Sequence, residues 1–216
     1  MIADIRQYFE MLHLNRLLDA GQRYTFSDYF DLPLAVRDIL RGFDYSLEQT
    51  DAELPVMPLN QFNLSFLRRS LEVNQRRTRL DSELARRSAI IAPVLTEVCE
   101  YNNLVFDTEY TISVSPHLTG VVDYYIESVP NLLIVEAKQS DLVRGFKQLA
   151  VELIALVYWR DSPPGLVYGC VTDGERWQFA CLDSFVGLIT QYSAVYRLED
   201  LDRLVGTLGM VVAGQV

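Results

Sequence analysis

The chain contains few of the residues that build disulfide frameworks, zinc sites or histidine-based catalytic centres. Its 216 residues include only three cysteines and two histidines. The cysteines are odd in number and follow no metal-binding spacing, so we expect buried free thiols, as in a reducing cytoplasm. The sequence also lacks a P-loop and a GxGxxG fingerprint, and it shows no Ser/His/Asp order of the kind found in triad hydrolases.

Long hydrophobic runs are absent as well. No apolar stretch is long enough to cross a bilayer. The first residues, MIADIRQYFEMLHL, carry early acidic residues and no uninterrupted apolar core, unlike a signal peptide. These features predict a cytoplasmic protein without membrane association. Because 50% of the residues are hydrophobic, the chain can bury one sizeable core, with a small additional lobe.

Positive charge is scarce overall, and this bears on the partners of the chain. The net charge is −10, and an acidic protein repels nucleic acid at long range. The segment from Arg68 to Arg87, however, holds seven arginines against three acidic residues, so it carries about +4 and leaves about −14 for the rest of the −10 total. This basic segment is interpreted either as a ridge that contacts phosphates or as a solvated helix face with ion pairs. The arginine excess favours phosphate contact.

The most informative segment is TGVVDYYIESVPNLLIVEAK, from Thr119 to Lys138. It places Asp123 on one apolar strand and Glu136 and Lys138 at the end of the next, with a turn between the two strands. Residues two apart on a strand share a face, so Glu136 and Lys138 project together, and a suitable strand register adds Asp123. Two carboxylates and an ammonium at the end of a sheet are a plausible Mg²⁺ site with a cationic partner. The alternative is an ordinary strand pair with solvated or bridged side chains.

The flanking patterns predict an α/β order of elements. Helical spacing is seen over Leu80–Tyr101, where Pro93 predicts a kink or a break, and again over Leu142–Trp159. Strands are predicted at residues 104–115, 165–172 and 176–182, in addition to the pair around Asp123 and Glu136. Helices are predicted over Ile2–Ala20 and in the C-terminal stretch Leu188–Val216. The predicted divisions are an N-terminal helical and irregular extension (1–78), a core (79–185) and a C-terminal helical segment packed on the core (186–216).

Asp123 followed by Glu136-Ala137-Lys138, within a helix, three strands, a helix and a strand, resembles the PD-(D/E)XK superfamily of restriction-endonuclease-like nucleases. The resemblance implies an αβββαβ core with a central mixed sheet, in which Asp123 and Glu136 bind the metal and Lys138 is the catalytic lysine. Val122 stands where the superfamily usually has proline. Residues 80–182 also resemble an uncharacterised branch of these proteins, which brings no known substrate.

The resemblance implies further site residues. Members often carry a metal-site glutamate on the first core helix, for which Glu83 is the candidate and Glu97 its rival. A glutamine after the lysine contacts the site in several branches, and Gln148 occupies that position. The residues expected to contact substrate phosphates are Arg76, Arg77, Arg79, Arg87 and Arg144.

The expected activity is Mg²⁺- or Mn²⁺-dependent hydrolysis of DNA phosphodiester bonds, as in an endodeoxyribonuclease. RNA as the substrate stays open, and the apolar ends of the chain permit a homodimer. The rival interpretation is a catalytically silent nuclease-fold module that binds nucleic acid or a protein partner. The acidic surface favours the module, whereas the intact Asp/Glu/Lys set favours the enzyme.

Overall fold

The computed structural model describes residues 17–19, 21–59, 63–128, 132–138, 141–160 and 165–214. The helix predicted over Ile2–Ala20 falls almost wholly outside these ranges. The helices, in chain order, are α1 (Phe26–Asp31), α2 (Val36–Gly42), α3 (Ser65–Arg77), α4 (Glu83–Arg86, Arg87–Ile91 and Ala92–Asn102 in succession), α5 (Leu142–Trp159) and α6 (Leu201–Ala213). The strands are β1 (Ser46–Thr50), β2 (Phe106–Ser115), β3 (Leu118–Glu127), β4 (Leu132–Ala137), β5 (Leu166–Thr172), β6 (Arg176–Asp183) and β7 (Leu188–Arg197).

The seven strands form one mixed sheet in the order β1-β7-β6-β5-β4-β3-β2. Strands β2, β3 and β4 form an antiparallel meander. Helix α5 then connects β4 to β5, which pairs with β4 in parallel. Strands β5, β6 and β7 are antiparallel neighbours, and β1 is parallel to β7 at one edge. The predicted α/β class is therefore confirmed.

Helices cover both faces of the sheet and bury two apolar cores. One core joins the sheet to α1, α2 and α5, and Phe26, Leu40 and Leu149 lie at its centre. The other joins the opposite face to α3, α4 and α6, and it includes Ile91 and Leu208. The near-continuous apolar runs of β4 and β5 follow from this arrangement, since strands covered on both faces need apolar residues at successive positions. Cys99, Cys170 and Cys181 are buried and free, as predicted.

Helix α4 changes its hydrogen-bonding register in the middle. Its residues Arg87–Ile91 form a π-helical turn, and the Ala92 N–H donates to the Arg87 carbonyl. Pro93 follows in the first turn of the last piece, where a missing N–H costs little. The Nδ2 atom of Asn74 donates to the Ala89 carbonyl at 2.8 Å, four residues before Pro93. The helix therefore continues past the proline, with the irregularity one turn earlier.

The prediction of helix from residue 188 onwards is wrong for its first part. Residues 188–197, LITQYSAVYR, form strand β7, and helix starts only at Leu201. The segment is rich in β-branched and aromatic residues, which favour a strand that can pair on both sides. The N-terminal extension likewise contributes β1 to the sheet, as well as helices. The sheet therefore includes strands from all three predicted divisions of the chain. Among the described residues, no helix has the length and apolar character needed to cross a membrane.

Candidate functional site

Strand pairing brings Asp123 and Glu136 together. Tyr124 is opposite Val135 in the register of β3 and β4, which places Asp123 across from Glu136. The Ala137 N–H donates to Oδ2 of Asp123 at 2.8 Å. On the other side, the Lys138 N–H donates to the Thr172 carbonyl at 2.7 Å, which ties the end of β4 to β5. The two carboxylates are thus fixed by backbone pairing on both sides of β4.

Glu136 and Lys138 form a buried ion pair. The Lys138 Nζ lies 2.6 Å from Oε1 of Glu136, and the Glu136 side chain is 2% exposed. Burial by itself lowers the pKa of Lys138, but the facing Glu136 carboxylate outweighs it and the pKa is raised. Lys138 is therefore held as an ammonium in this arrangement, suited to balancing negative charge rather than to accepting a proton.

Helix α5 adds an amide and a third carboxyl from the same side of the sheet. The Nε2 atom of Gln148 donates to Oε1 of Glu136 at 2.6 Å and to Oε1 of Glu152 at 2.8 Å. Burial is the main cause that raises the pKa of both carboxyls, to about 7 for Glu152. With both carboxyls ionised, the second oxygens of Glu136 and Glu152 have no hydrogen-bond donor among the described residues. A proton held by either carboxyl lets the two side chains hydrogen-bond to each other, which fits the raised pKa values.

The start of α4 contributes Arg87 and Glu83. The Arg87 Nη1 lies 3.0 Å from Oδ1 of Asp123. Burial raises the pKa of Asp123, although the Ala137 N–H and the Arg87 guanidinium partly offset this effect. Burial likewise raises the pKa of Glu83, one turn earlier, with opposing electrostatic effects from Lys138 and Asp123. Glu83 therefore lies within electrostatic range of Lys138 and Asp123.

Glu97, the rival candidate on the same helix, lies elsewhere. Burial and the neighbouring Glu100 raise its pKa, and its electrostatic partners do not include the residues around Asp123. We name the group that the structure brings together the polar cluster. Its members are Glu83, Arg87, Asp123, Glu136, Lys138, Gln148 and Glu152.

The other predicted phosphate contacts lie outside the polar cluster. Arg144 is exposed on the first turn of α5, paired with Asp31 at 3.0 Å and stacked on the Phe30 ring at 4.7 Å. The same ring lies 5.3 Å from the Lys138 Nζ, so Arg144 is one side chain away from the cluster. Three further arginines are exposed at or just beyond the end of α3: Arg76, Arg77 and Arg79. Within the described ranges, no hydrogen bond or ion pair joins these three to the cluster.

Two residues of the site were not predicted, Glu152 and Phe30. Glu152 had a detectable signal, because it is the single charged residue in the apolar run LAVELIALV and lies four positions after Gln148, on the same helix face. Phe30 had none, because its helix lies more than a hundred residues before Lys138 in the chain. Only the packing of α1 against α5 brings its ring to the site.

The donor chemistry of the polar cluster suits a hard divalent cation. Carboxylate oxygens are available from Glu83, Asp123 and Glu136, and the unpartnered second oxygen of Glu136 is well suited to such a role. Both Asp123 oxygens, however, already have partners, Arg87 and the Ala137 N–H. Among the described residues, no group of three or more acidic, histidine or cysteine side chains is arranged to hold a metal. A cation on Oδ1 of Asp123 therefore shares or competes for an oxygen that already faces the Arg87 guanidinium.

A scan against protein-family models, a search of curated proteins and a search of solved structures each found no match to this chain. The function must therefore be inferred from the geometry of the polar cluster and from the sheet that positions it.

Proposed function

We propose that this protein is a metal-dependent nuclease with a PD-(D/E)XK-like core that hydrolyses DNA phosphodiester bonds. The observation that carries the proposal is the convergence of Asp123, Glu136 and Lys138 where the end of β4 pairs with the middle of β3. The path from α4 through the β2–β4 meander and α5 to the parallel strand β5 is similar to the αβββαβ order of that superfamily. A sequence resemblance and a spatial convergence thus support the same site.

Each residue has a distinct role in this proposal. Asp123 and Glu136 would hold Mg²⁺ or Mn²⁺, with Glu83 assisting directly or through water. When bound, the cation supplies Lewis-acid stabilisation of phosphoryl charge and a water of lowered pKa. Lys138, held as an ammonium, positions the attacking water and balances charge on the phosphate. Gln148 keeps the Glu136 carboxylate in place through its 2.6 Å hydrogen bond.

Substrate contacts are assigned to the exposed arginines. Arg144 and Lys138 both lie close to the Phe30 ring. Arg76, Arg77 and Arg79 lie at or just beyond the end of α3, and Asn74 of that helix donates a hydrogen bond to the Ala89 carbonyl of α4. Each phosphate contact would release counterions, so binding should weaken as salt increases. The net charge of −10 makes this dependence shallower, since salt also screens the repulsion between the rest of the surface and DNA. RNA offers the same phosphate chemistry.

A second candidate is a catalytically silent module that keeps the nuclease-like sheet and binds nucleic acid or a protein partner. A specific observation favours it, namely the Arg87 guanidinium 3.0 Å from Oδ1 of Asp123. A cationic side chain at that oxygen can replace a metal ion as the partner of the carboxylate. The polar cluster would then be a structural charge network.

The experiment that separates the two candidates is a nuclease assay of the wild type and Lys138→Ala. Supercoiled, linear, branched and single-stranded DNA and an RNA are incubated with Mg²⁺ or Mn²⁺, with EDTA as a blank. We expect metal-dependent cleavage that falls by about 10²- to 10³-fold in Lys138→Ala, because a group that balances charge on the phosphate is lost. The matched control is Lys147→Ala, at the only other lysine of the chain, whose Nζ donates to the Leu32 carbonyl at 2.6 Å.

Equal cleavage by the wild type and Lys138→Ala would place the activity outside the polar cluster. Absence of cleavage on every substrate, together with no stabilisation by metal in thermal denaturation, would favour the silent module. Loss of activity in Lys147→Ala as well would point to a general effect on folding.

A further inference from the structure

We infer that Arg87 is a positioning residue that controls access of the metal to Asp123. In the metal-free protein its guanidinium occupies the oxygen that the cation needs, and it moves to a second position, on Glu109, when the cation binds. The inference rests on the proposed function, because it concerns the same metal site.

The first support is that each oxygen of Asp123 already has a partner and that a cationic side chain faces one of them. Its Oδ2 accepts the Ala137 N–H at 2.8 Å as part of the strand pairing. Its Oδ1 faces Arg87 Nη1 at 3.0 Å, and the two side chains are only 14% and 15% exposed. Water screens such a pair weakly, so the guanidinium and a cation compete directly for Oδ1.

The second support is a position to which the guanidinium can move. The same Nη1 atom lies 3.5 Å from Oε1 of Glu109, whose side chain is 68% exposed. Glu109 has a φ of 54°, in the left-handed region that is uncommon for glutamate. Residues held in such conformations are concentrated at functional sites, which suits a carboxylate placed to receive Arg87.

The third support is that the move needs only the side chain. The Tyr124 hydroxyl donates to the Arg87 carbonyl at 3.0 Å and so anchors the backbone. The Tyr124 ring lies 5.5 Å from the guanidinium carbon. This cation–π contact can be kept while the guanidinium changes its carboxylate partner. Arg87 also begins the π-helical turn of α4, a feature often found at functional sites.

The test is Mn²⁺ binding measured by calorimetry, without DNA and therefore independent of turnover. Arg87→Gln is expected to bind Mn²⁺ on the order of tenfold more tightly than the wild type, because the competitor is gone. Glu109→Gln is expected to bind it two- to threefold more weakly, by the rough scale of exposed ion pairs, because Arg87 then stays on Asp123. The control is Arg160→Gln, which opens a 2.8 Å pair with Glu127 at the far end of β3 and should leave the affinity unchanged.

A double variant distinguishes displacement of the guanidinium from a simple effect of charge. If Glu109 acts only through Arg87, Glu109→Gln has no further effect in the Arg87→Gln background. If Glu109→Gln weakens Mn²⁺ binding equally in both backgrounds, the Glu109 carboxylate attracts the cation directly and not through Arg87. That result would overturn the inference. Circular dichroism melts check the folding of each variant. If Arg87→Gln does not fold, Arg87→Met, which keeps much of the side-chain length without the charge, replaces it, with tighter binding again expected.

The failure of this inference differs from failure of the proposed function. Equal Mn²⁺ binding by the wild type and Arg87→Gln would show that Arg87 does not control access of the metal to Asp123. The proposal of a metal site would be unaffected by that result. No Mn²⁺ binding by any of the variants would remove the metal site itself, and with it the proposed nuclease and this inference.

Discussion

Helices α5 and α6 cover opposite faces of one sheet, yet their buried sides differ in polarity. All residues of α6 are described, and Thr207 is the single buried polar residue among them. Helix α5 instead buries Gln148 and Glu152. The Gln148 amide donates hydrogen bonds to Glu152 and to Glu136 of β4. Burying a carboxyl costs free energy unless it is paired and hydrogen-bonded. Packing therefore explains α6, whereas α5 carries groups whose presence calls for a chemical role.

The largest expected effect comes from removing a side chain on the apolar side. Leu208 of α6 is fully buried, so Leu208→Ala should lower the free energy of unfolding by about 2–5 kcal/mol. Urea denaturation in EDTA measures this loss. Mn²⁺ affinity of the folded variant should be unchanged, because Leu208 packs in the apolar core below α3, α4 and α6 and is not a member of the polar cluster. Loss of Mn²⁺ binding by folded Leu208→Ala would show that this core and the polar cluster are coupled. Leu208→Met, which conserves volume, should cost less than about 1.5 kcal/mol.

An effect of intermediate size is expected from a matched pair of glycine substitutions, one on α6 and one on α5. A Cβ at Gly206 of α6 would lie 2.6 Å from Val56 Cγ1, and one at Gly145 of α5 would lie 2.8 Å from Lys138 Cγ. Each alanine variant should lose about 1–3 kcal/mol of stability through overpacking. Gly145→Ala should also lower nuclease activity, by up to about 100-fold if Lys138 moves by about 1 Å.

Urea denaturation and the cleavage assay, run on both glycine variants, check this pair. Gly206→Ala should retain wild-type activity while it is folded. Equal activity of Gly145→Ala and the wild type, with Gly145→Ala folded, would show that the position of Lys138 is not critical for cleavage.

A further expected effect is a change in pH dependence. Burial raises the pKa of Glu152 from 4.5 to about 7, so the folded protein binds this proton more tightly than the unfolded chain does. Its contribution to stability is full below pH 4.5 and is lost as the pH rises to about 7. Glu152→Gln has no such proton, so in EDTA it should gain roughly 3 kcal/mol relative to the wild type between pH 4 and pH 8.

Urea denaturation at a series of pH values, with both proteins in EDTA, measures that difference. Parallel stability curves for the wild type and Glu152→Gln would show that Glu152 does not titrate in this range. Thr207→Val, at the buried polar residue of α6, is the control, because it removes no titratable group and should leave the difference in stability between pH 4 and pH 8 unchanged.

The elements that could be predicted are those with a strong local pattern. The apolar stripe of α5 indicated Leu142–Trp159, the bounds that the structure has, because a buried helix repeats its apolar residues at a fixed period. Strands β5 and β6 were found within one residue of the prediction, since they are short apolar runs bounded by turns. Strand β7 was missed because its half-exposed residues gave a weak alternation. It pairs with its chain neighbour β6 on one side and with the distant β1 on the other.

The residues of the candidate site likewise fall into two groups, those that a local pattern could place and those that only long-range packing positions. Glu136 and Lys138 could be placed together because residues two apart on a strand share a face. The contact of Gln148 with Glu136 required only that α5 return over β4, as a helix between two parallel strands does. The partner of Asp123 could not be foreseen. Arg87 was expected to contact phosphates, and the structure places it on a carboxylate contributed by another element.

The sequence by itself therefore determined the residue types of the polar cluster and their grouping within each element, because strand and helix periods are local geometry. Only the tertiary structure decided which charge faces which. It set Arg87 against Asp123, joined Glu152 to Glu136 through Gln148, and placed Phe30 beside Lys138. Such contacts depend on strand register and helix packing between distant segments, and these are fixed by the burial of the whole core rather than by neighbouring residues.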